Sequence, residues 1–180
     1  MRVFAGLPLE SGLASEIGRC MGDWRETCRG LKMVEPRNLH ITIYFFGELT
    51  AAQVEHLTTA MECFKMKTVD GSLGEIGWFP SRKIARVFFL GVDKGQAEIV
   101  DLHKTFSELV FSLGFGGHKR RFVPHITLAR SRRGVTPRPY TGFESLRGRP
   151  VSINRFVLYE SRLSAAGPEY DTLKEILLKT

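Results

Sequence analysis

Acidic residues are in short supply in this 180-residue chain: 19 Asp and Glu stand against 26 Lys and Arg, leaving a formal charge of +7. Cysteine is scarcer still. There are three, Cys20, Cys28 and Cys63. An odd count with no Cys-x-x-Cys spacing supports neither a disulfide framework nor a zinc site, and a reduced, cytoplasmic protein is the simplest reading. No apolar run approaches the ~18 residues that a membrane-spanning helix needs. The opening Met1–Glu10 lacks the long apolar core and small-residue cleavage site of a signal peptide, and reads as a first strand. Near the motifs described below there is no His-x-His and no Asp/Glu cluster at ligand spacing, so neither a metal nor a cofactor is expected. What remains is ordinary for a globular protein: 43% hydrophobic and 25% charged residues, enough chain for one domain over residues 1–180 with a real core. Nothing in the chain speaks to oligomeric state, and monomer is the default.

Two short stretches carry the information. One is Asn38-Leu39-His40-Ile41-Thr42-Ile43-Tyr44-Phe45-Phe46-Gly47; the other is Phe122-Val123-Pro124-His125-Ile126-Thr127-Leu128-Ala129-Arg130. Each reads His-Ile-Thr followed by an apolar residue, inside a run rich in β-formers and after a turn-prone stretch. The histidines lie about half a chain apart, which points to an internal duplication. In a strand, side chains alternate between faces, so His40, Thr42, Tyr44 and Phe46 are expected on one face, and His125, Thr127 and Ala129 on one face of the other strand. Taken singly, either motif is as well explained by a buried histidine bonded to a neighbouring threonine. A polar core feature has no reason to recur with the same flanks, and the pair points to two imidazoles and two hydroxyls in one cleft.

The rest of the chain frames these strands. Leu13, Ile17, Met21 and Trp24 recur at helical spacing and predict a helix over about 10–27, ended by Gly30. Residues 31–34 read as a short strand. Thr50 reads as the N-cap of a helix over about 51–64. Residues 68–78 and 84–92 read as strands joined by a turn at Pro80-Ser81-Arg82-Lys83. Ile99, Leu102, Phe106, Leu109 and Val110 predict a helix from Lys94 or Gly95 to about Leu113. The Arg-, Gly- and Pro-rich stretch 131–150 reads as loop or weak strand plus loop, and as the candidate substrate lid. Residues 151–161 read as a strand. The final segment fits a helix by the spacing of Leu173, Ile176 and Leu177.

Lys119, Arg120, Arg121, Arg130, Arg132, Arg133 and Arg138 crowd around the second motif, and Arg147, Arg149 and Arg155 follow. That distribution is either a solvated basic loop or a phosphate-steering rim. Strict alternation points Arg130 away from His125, although a twist at the strand end could bring it to a phosphate. Tyr44 and Phe46 could stack on a base or ribose, although core packing is the favoured role for Phe46. His56 and His103 fall on helices, and His118 on a loop; none needs a functional role.

The doubled His-x-Thr-x, with Pro124-His125-Ile126-Thr127-Leu128-Ala129-Arg130 as its second copy, resembles the two-histidine phosphoesterases, and among them the bacterial and archaeal RNA 2′,3′-cyclic phosphodiesterases, also called 2′-5′ RNA ligases. The resemblance extends to Arg2-Val3-Phe4-Ala5, to Phe45-Phe46-Gly47-Glu48, and to Ser161-Arg162-Leu163 with Gly167 and Tyr170. Phe46 stands where that family more often has Leu. The resemblance implies an α+β fold of two pseudo-twofold-related lobes, with mostly antiparallel sheets forming a central cleft and helices outside, and it makes the last segment a strand rather than a helix. It implies His40 and His125 as catalytic residues, His40 donating a proton and His125 accepting one. The substrates it implies are RNA ends or nucleotides bearing a 2′,3′-cyclic phosphate, opened to a 2′-phosphate, with 2′-5′ ligation as the reverse reaction. Thr42, Thr127, Arg130, Tyr44 and Phe46 are then the candidate substrate-binding residues. A nucleotide-binding module without turnover and a 2′-5′ phosphodiesterase on linear oligonucleotides are the competing readings.

Overall fold

A computed structural model describes residues 1–27, 30–81, 83–117, 121–136, 140–164 and 167–179. Cys28, Arg82 of the expected turn, His118, Lys119, Arg120 and Arg138, named above, lie outside the described residues. In chain order the elements are β1 (Arg2–Pro8), α1 (Ser11–Thr27), β2 (Lys32–Met33), β3 (His40–Glu48), α2 (Ala51–Met61), β4 (Val69–Pro80), β5 (Ala85–Val92), α3 (Gln96–Ser112), β6 (His125–Val135), β7 (Pro150–Ile153), β8 (Arg155–Ser164) and β9 (Gly167–Leu177), with 3-10 turns at Pro36–Asn38 and Thr141–Leu146.

The strands run β7-β4-β5-β6-β3-β1-β8-β9, with β2 added to β6, and neighbouring strands are antiparallel. The order reads symmetrically about the junction of the two motif strands, β3 and β6. This is the α+β architecture of two similar halves with helices on the outside. The halves meet where Ile41 pairs with Ile126, both fully buried.

Local sequence explains the helices. Thr50 and Gln53 cap α2 reciprocally: the Gln53 N–H donates to Thr50 Oγ1 at 3.3 Å, and the Thr50 N–H donates to Gln53 Oε1 at 2.9 Å. α2 stops at Met61 rather than running to 64, because Cys63 and Phe64 donate three residues back, to Ala60 and Met61, and so tighten the last turn. In α3, Ile99, Leu102, Phe106 and Val110 form a fully buried stripe. Burying a side chain such as Phe106 contributes roughly 1.5–3 kcal/mol.

The helices cross over. α1 follows β1, yet its Trp24 packs on Phe88 of β5 (5.3 Å between ring centroids). α3 follows β5, yet its Phe106 packs on Phe156 of β8 (4.7 Å) and near Tyr44 of β3 (6.3 Å). Both lie on the face to which Ile41 and Ile126 point, which leaves the opposite face to the residues that alternate with them.

One expectation stands and one is corrected. The last segment is a strand, as the resemblance implied and the spacing did not: β9 pairs with β8 from Arg155↔Leu177 to Ser164↔Gly167, and the helix-like stripe is only half-buried, with Leu177 69% exposed. The described parts of the stretch 131–150, residues 131–136 and 140–150, are not an open lid. β6 continues to Val135, and Thr141–Leu146 is pinned beneath α1, with Phe143 and Leu146 buried, Phe143 5.4 Å from Trp24, and the Tyr140 hydroxyl donating to Cys20 O at 3.2 Å. The later arginines do not form a rim. Arg147 meets Glu75 at 2.8 Å, Arg149 meets Glu16 at 2.7 Å and Arg155 meets Glu175 at 3.9 Å.

Candidate active site

In an antiparallel pair, opposed residues project to the same face. Counting outward from Ile41↔Ile126 sets His40 opposite Thr127 and Thr42 opposite His125. All four side chains leave the face opposite the helices, and all four are half-buried. The structure thus brings the four expected groups together across the β3–β6 junction.

Both histidines are oriented from behind. His40 Nδ1 is 2.7 Å from Asn38 O, and His125 Nδ1 is 2.7 Å from Val123 O. A carbonyl only accepts, so Nδ1 carries the proton in each case and Nε2 is left to the cleft. His40 Nε2 lies 2.9 Å from Thr42 Oγ1, whose hydroxyl donates to it while the ring is neutral. Burial lowers the pKa of both rings. For His40 it falls to about 4, with the Arg130 guanidinium and His125 adding to the effect and the Asn38 carbonyl opposing it. For His125 burial and Arg130 lower it against the Val123 carbonyl.

Each motif strand carries a β-bulge at the same place. Across β1, Gly6 pairs with Thr42 but Ala5 pairs with Tyr44, so Ile43 is extra. Across β5, Phe89 pairs with Thr127 but Phe88 pairs with Ala129, so Leu128 is extra. One extra residue reverses the alternation beyond it. This overturns two of the expected binding residues. Tyr44 is 3% exposed and donates its hydroxyl to Gly116 O on the helix side. Phe46 packs there too, 6.3 Å from Phe106 and 5.5 Å from Phe115. Phe45, not Phe46, joins the histidine face: it is 55% exposed and 6.0 Å from Phe4.

The same shift brings Arg130 in. Ala129 is fully buried and Arg130 is exposed on the histidine side, close enough for its charge to act on His40, His125 and Tyr170. The second bulge left a partial trace in the sequence: after His125 and Thr127 the next polar residue is Arg130, out of phase with them, although Ser131, Arg132 and Arg133 then show no alternation. The first left no such trace, because Ile43, Tyr44, Phe45 and Phe46 are all apolar or amphipathic.

Sequence reasoning missed the aromatic surround. Phe4, Tyr170 and Tyr159 enclose His40 at centroid distances of 4.9, 5.5 and 6.3 Å. Burial pushes the Tyr159 phenol up to about 12 and raises that of Tyr170. Phe89 and Phe79 flank His125 at 5.1 and 5.2 Å and stack on each other at 4.4 Å. Gly6 makes room for His40: a Cβ there would lie 3.1 Å from His40 Cδ2 and 3.2 Å from Ile41 O. Asn38 ties the first histidine to a distant strand, its buried side-chain amide donating to Pro168 O at 2.9 Å. His103 stacks on Phe122 at 4.0 Å, just ahead of β6, and His56 is exposed on α2.

Comparison with known proteins shows the family and the fold. The sequence model of the LigT-like phosphoesterase family matches residues 7–89 and again 90–170. A Geobacillus stearothermophilus protein named RNA 2′,3′-cyclic phosphodiesterase is 32% identical over 94% of this chain, which spans 55% of that protein's length. A Methanocaldococcus jannaschii protein of the same name is 27% identical over 97% of this chain and 99% of its own. The structure of E. coli LigT complexed with 3′-AMP has the same fold, with a TM-score of 0.78 and 23% identity over 99% of this chain and 98% of that one.

Proposed function

The chain belongs to the LigT-like, two-histidine phosphoesterases, a family of hydrolases, and on that premise we propose that it opens 2′,3′-cyclic phosphate ends of RNA to 2′-phosphomonoesters without a metal. The observation that carries this reading is the matched presentation of two imidazoles: both Nδ1–H groups held by main-chain carbonyls, and both Nε2 atoms turned to one face, where Thr42 Oγ1 meets that of His40.

In the proposed reaction His125 Nε2 takes a proton from water as its oxygen attacks phosphorus. The P–O3′ bond breaks, and His40 Nε2–H gives its proton to the departing oxygen. The product carries a 2′-phosphate and a free 3′-hydroxyl, and the two protons re-equilibrate through solvent. Thr42 and Thr127 hydroxyls and the Arg130 guanidinium bond the non-bridging oxygens, where negative charge is held in the transition state. If a 5′-hydroxyl takes the place of water in the reverse direction, the same groups form a 2′-5′ linkage. RNA 2′,3′-cyclic phosphodiesterase is the name of the curated relatives, and E. coli LigT has been seen with a nucleotide, 3′-AMP.

Charge on the donor arrives with the substrate. In the unliganded protein His40 is neutral at pH 7, because its pKa is about 4. A phosphodiester anion beside Nε2 opposes burial and favours the imidazolium. The kcat/KM profile, which reports the free protein, then peaks on the acid side of neutrality.

The test is hydrolysis of a nucleoside 2′,3′-cyclic phosphate in EDTA by the wild type, His40→Ala and His125→Ala, with the product isomer identified. Wild-type turnover to the 2′-phosphate, lost in both variants, is expected. Nucleotide binding without turnover, full activity in either variant, or abolition by EDTA would overturn the proposal.

A further inference from the structure

We propose that Lys32 and Arg130 form a second phosphate subsite, one that holds the phosphodiester next to the reacting phosphate, so that the cleft is built for an oligoribonucleotide end rather than a mononucleotide. The inference rests on the function proposed above and narrows its substrate.

The two cations are placed by pairing. β2 is only two residues long, and it joins β6 with Lys32 opposite Arg130 and Met33 opposite Ala129. Met33 and Ala129 are buried, which fixes the inner face. Lys32 and Arg130 therefore project together on the outer face, the one that carries the histidines. Like charges directly opposite each other in a sheet cost free energy. Among the described residues neither meets a carboxylate, whereas Arg147, Arg149, Arg155 and Arg162 all do, at 2.8, 2.7, 3.9 and 3.0 Å. The acid-poor composition is thus spent elsewhere on the surface, and this pair is left with its repulsion unrelieved. An anion bound between the two is the natural relief.

The position is right for a neighbouring phosphate. Lys32 lies over the start of β9, with Nζ 3.9 Å from where a Cβ on Gly167 would sit. Three residues along β9, Tyr170 stands against His40 and feels the charges of both Arg130 and Arg2. The Lys32–Arg130 row is three residues along β6 from Thr127, one of them the bulged Leu128, which makes two residues on the partner strand β5, or ~7 Å at the usual strand rise. Arg130, which reaches back toward both histidines, links the two phosphates. Lys32 faces only the second. A cyclic mononucleotide has no phosphate to offer it; a chain ending in a cyclic phosphate has one at the next linkage.

The experiment compares wild type and Lys32→Met on a nucleoside 2′,3′-cyclic phosphate and on a dinucleotide with the same 2′,3′-cyclic end, with Arg147→Met as a surface-charge control. A hydrogen-bonded charged contact to phosphate supports about a tenfold difference. In Lys32→Met the ratio of kcat/KM for the dinucleotide over the mononucleotide is expected to fall about tenfold. The salt slope of dinucleotide KM should fall by about one ion. Arg147→Met should keep both at wild-type values. An unchanged ratio in Lys32→Met, or the same fall in Arg147→Met, would overturn the subsite and leave the proposed reaction standing. Failure of the wild type to turn over either substrate would overturn the reaction itself.

Discussion

Acidification should weaken this protein through one side chain more than any other single histidine, because His40 is held neutral in the fold. Its pKa is about 4 when folded, against an ordinary value of 6.5. Above pH 6.5 both folded and unfolded chains leave the ring neutral, and it contributes nothing. Between 6.5 and 4 the unfolded chain binds a proton that the folded chain refuses, so stability is lost as pH falls through that window. The full difference of 2.5 units corresponds to about 3.4 kcal/mol, of which about 2.5 kcal/mol has been lost on going from pH 7.5 to pH 4.5. Carboxylates and His125 add their own losses, and a variant isolates the term. Urea unfolding at the two pH values, for wild type and His40→Gln, should show the variant losing about 2.5 kcal/mol less than wild type. Equal losses, or a His40 resonance titrating near 6.5 in the folded protein, would refute the reasoning and with it the neutral state of His40 in the unliganded protein.

Gly6→Ala places a methyl group 3.1 Å from His40 Cδ2, and a ring displaced by a few tenths of an ångström should cost roughly 3–10-fold in kcat for the cyclic phosphate; an unchanged kcat would show that the approach does not position the ring. Arg130→Gln removes a charge that lowers both imidazole pKa values, so the acid limb of kcat/KM should move to higher pH while the maximum falls; an unmoved limb would place Arg130 out of range of the histidines. Phe46→Leu should lower stability by about 1 kcal/mol and leave KM alone, as its packing on Phe106 and Phe115 implies; a raised KM with unchanged stability would return Phe46 to the binding face.

The sequence carried the centre of this site and little of its walls. The two His-Ile-Thr strands were legible because histidine and threonine alternate with isoleucine, and the helices because Ile99, Leu102 and Phe106, or Ile17, Met21 and Trp24, recur at the spacing of a buried stripe. The placement of Tyr44 and Phe46 failed at one residue, Ile43, where a bulge reversed the faces in a run too uniformly apolar to show it. Strict alternation likewise pointed Arg130 away from His125, and the bulge at Leu128 brings it to the histidine side. The aromatic residues around His40 come from β1, β8 and β9, as far as 130 residues away along the chain, and nothing local in Phe4, Tyr159 or Tyr170 foretells their meeting. Periodicity also misread β9, whose apolar residues cover one side of a paired strand rather than one stripe of a helix.

The crossed helices have a mechanical consequence. Each half of the sheet is roofed by the helix that the other half supplies: Trp24 of α1 covers Phe88, and Phe106 of α3 covers Phe156. The strands cross as well: β4 follows β3 and α2 along the chain yet pairs with β5 in the other half of the sheet, and β8 follows β7 of that half yet pairs with β1. The halves are clasped like linked hands, and prying them apart would strip the apolar cover from both at once. The separation of the two imidazoles is therefore not left to the single strand pair at Ile41 and Ile126. It is held by the whole clasp, so the distance between the two rings is as rigid as the core itself, and the two lobes should melt as one unit.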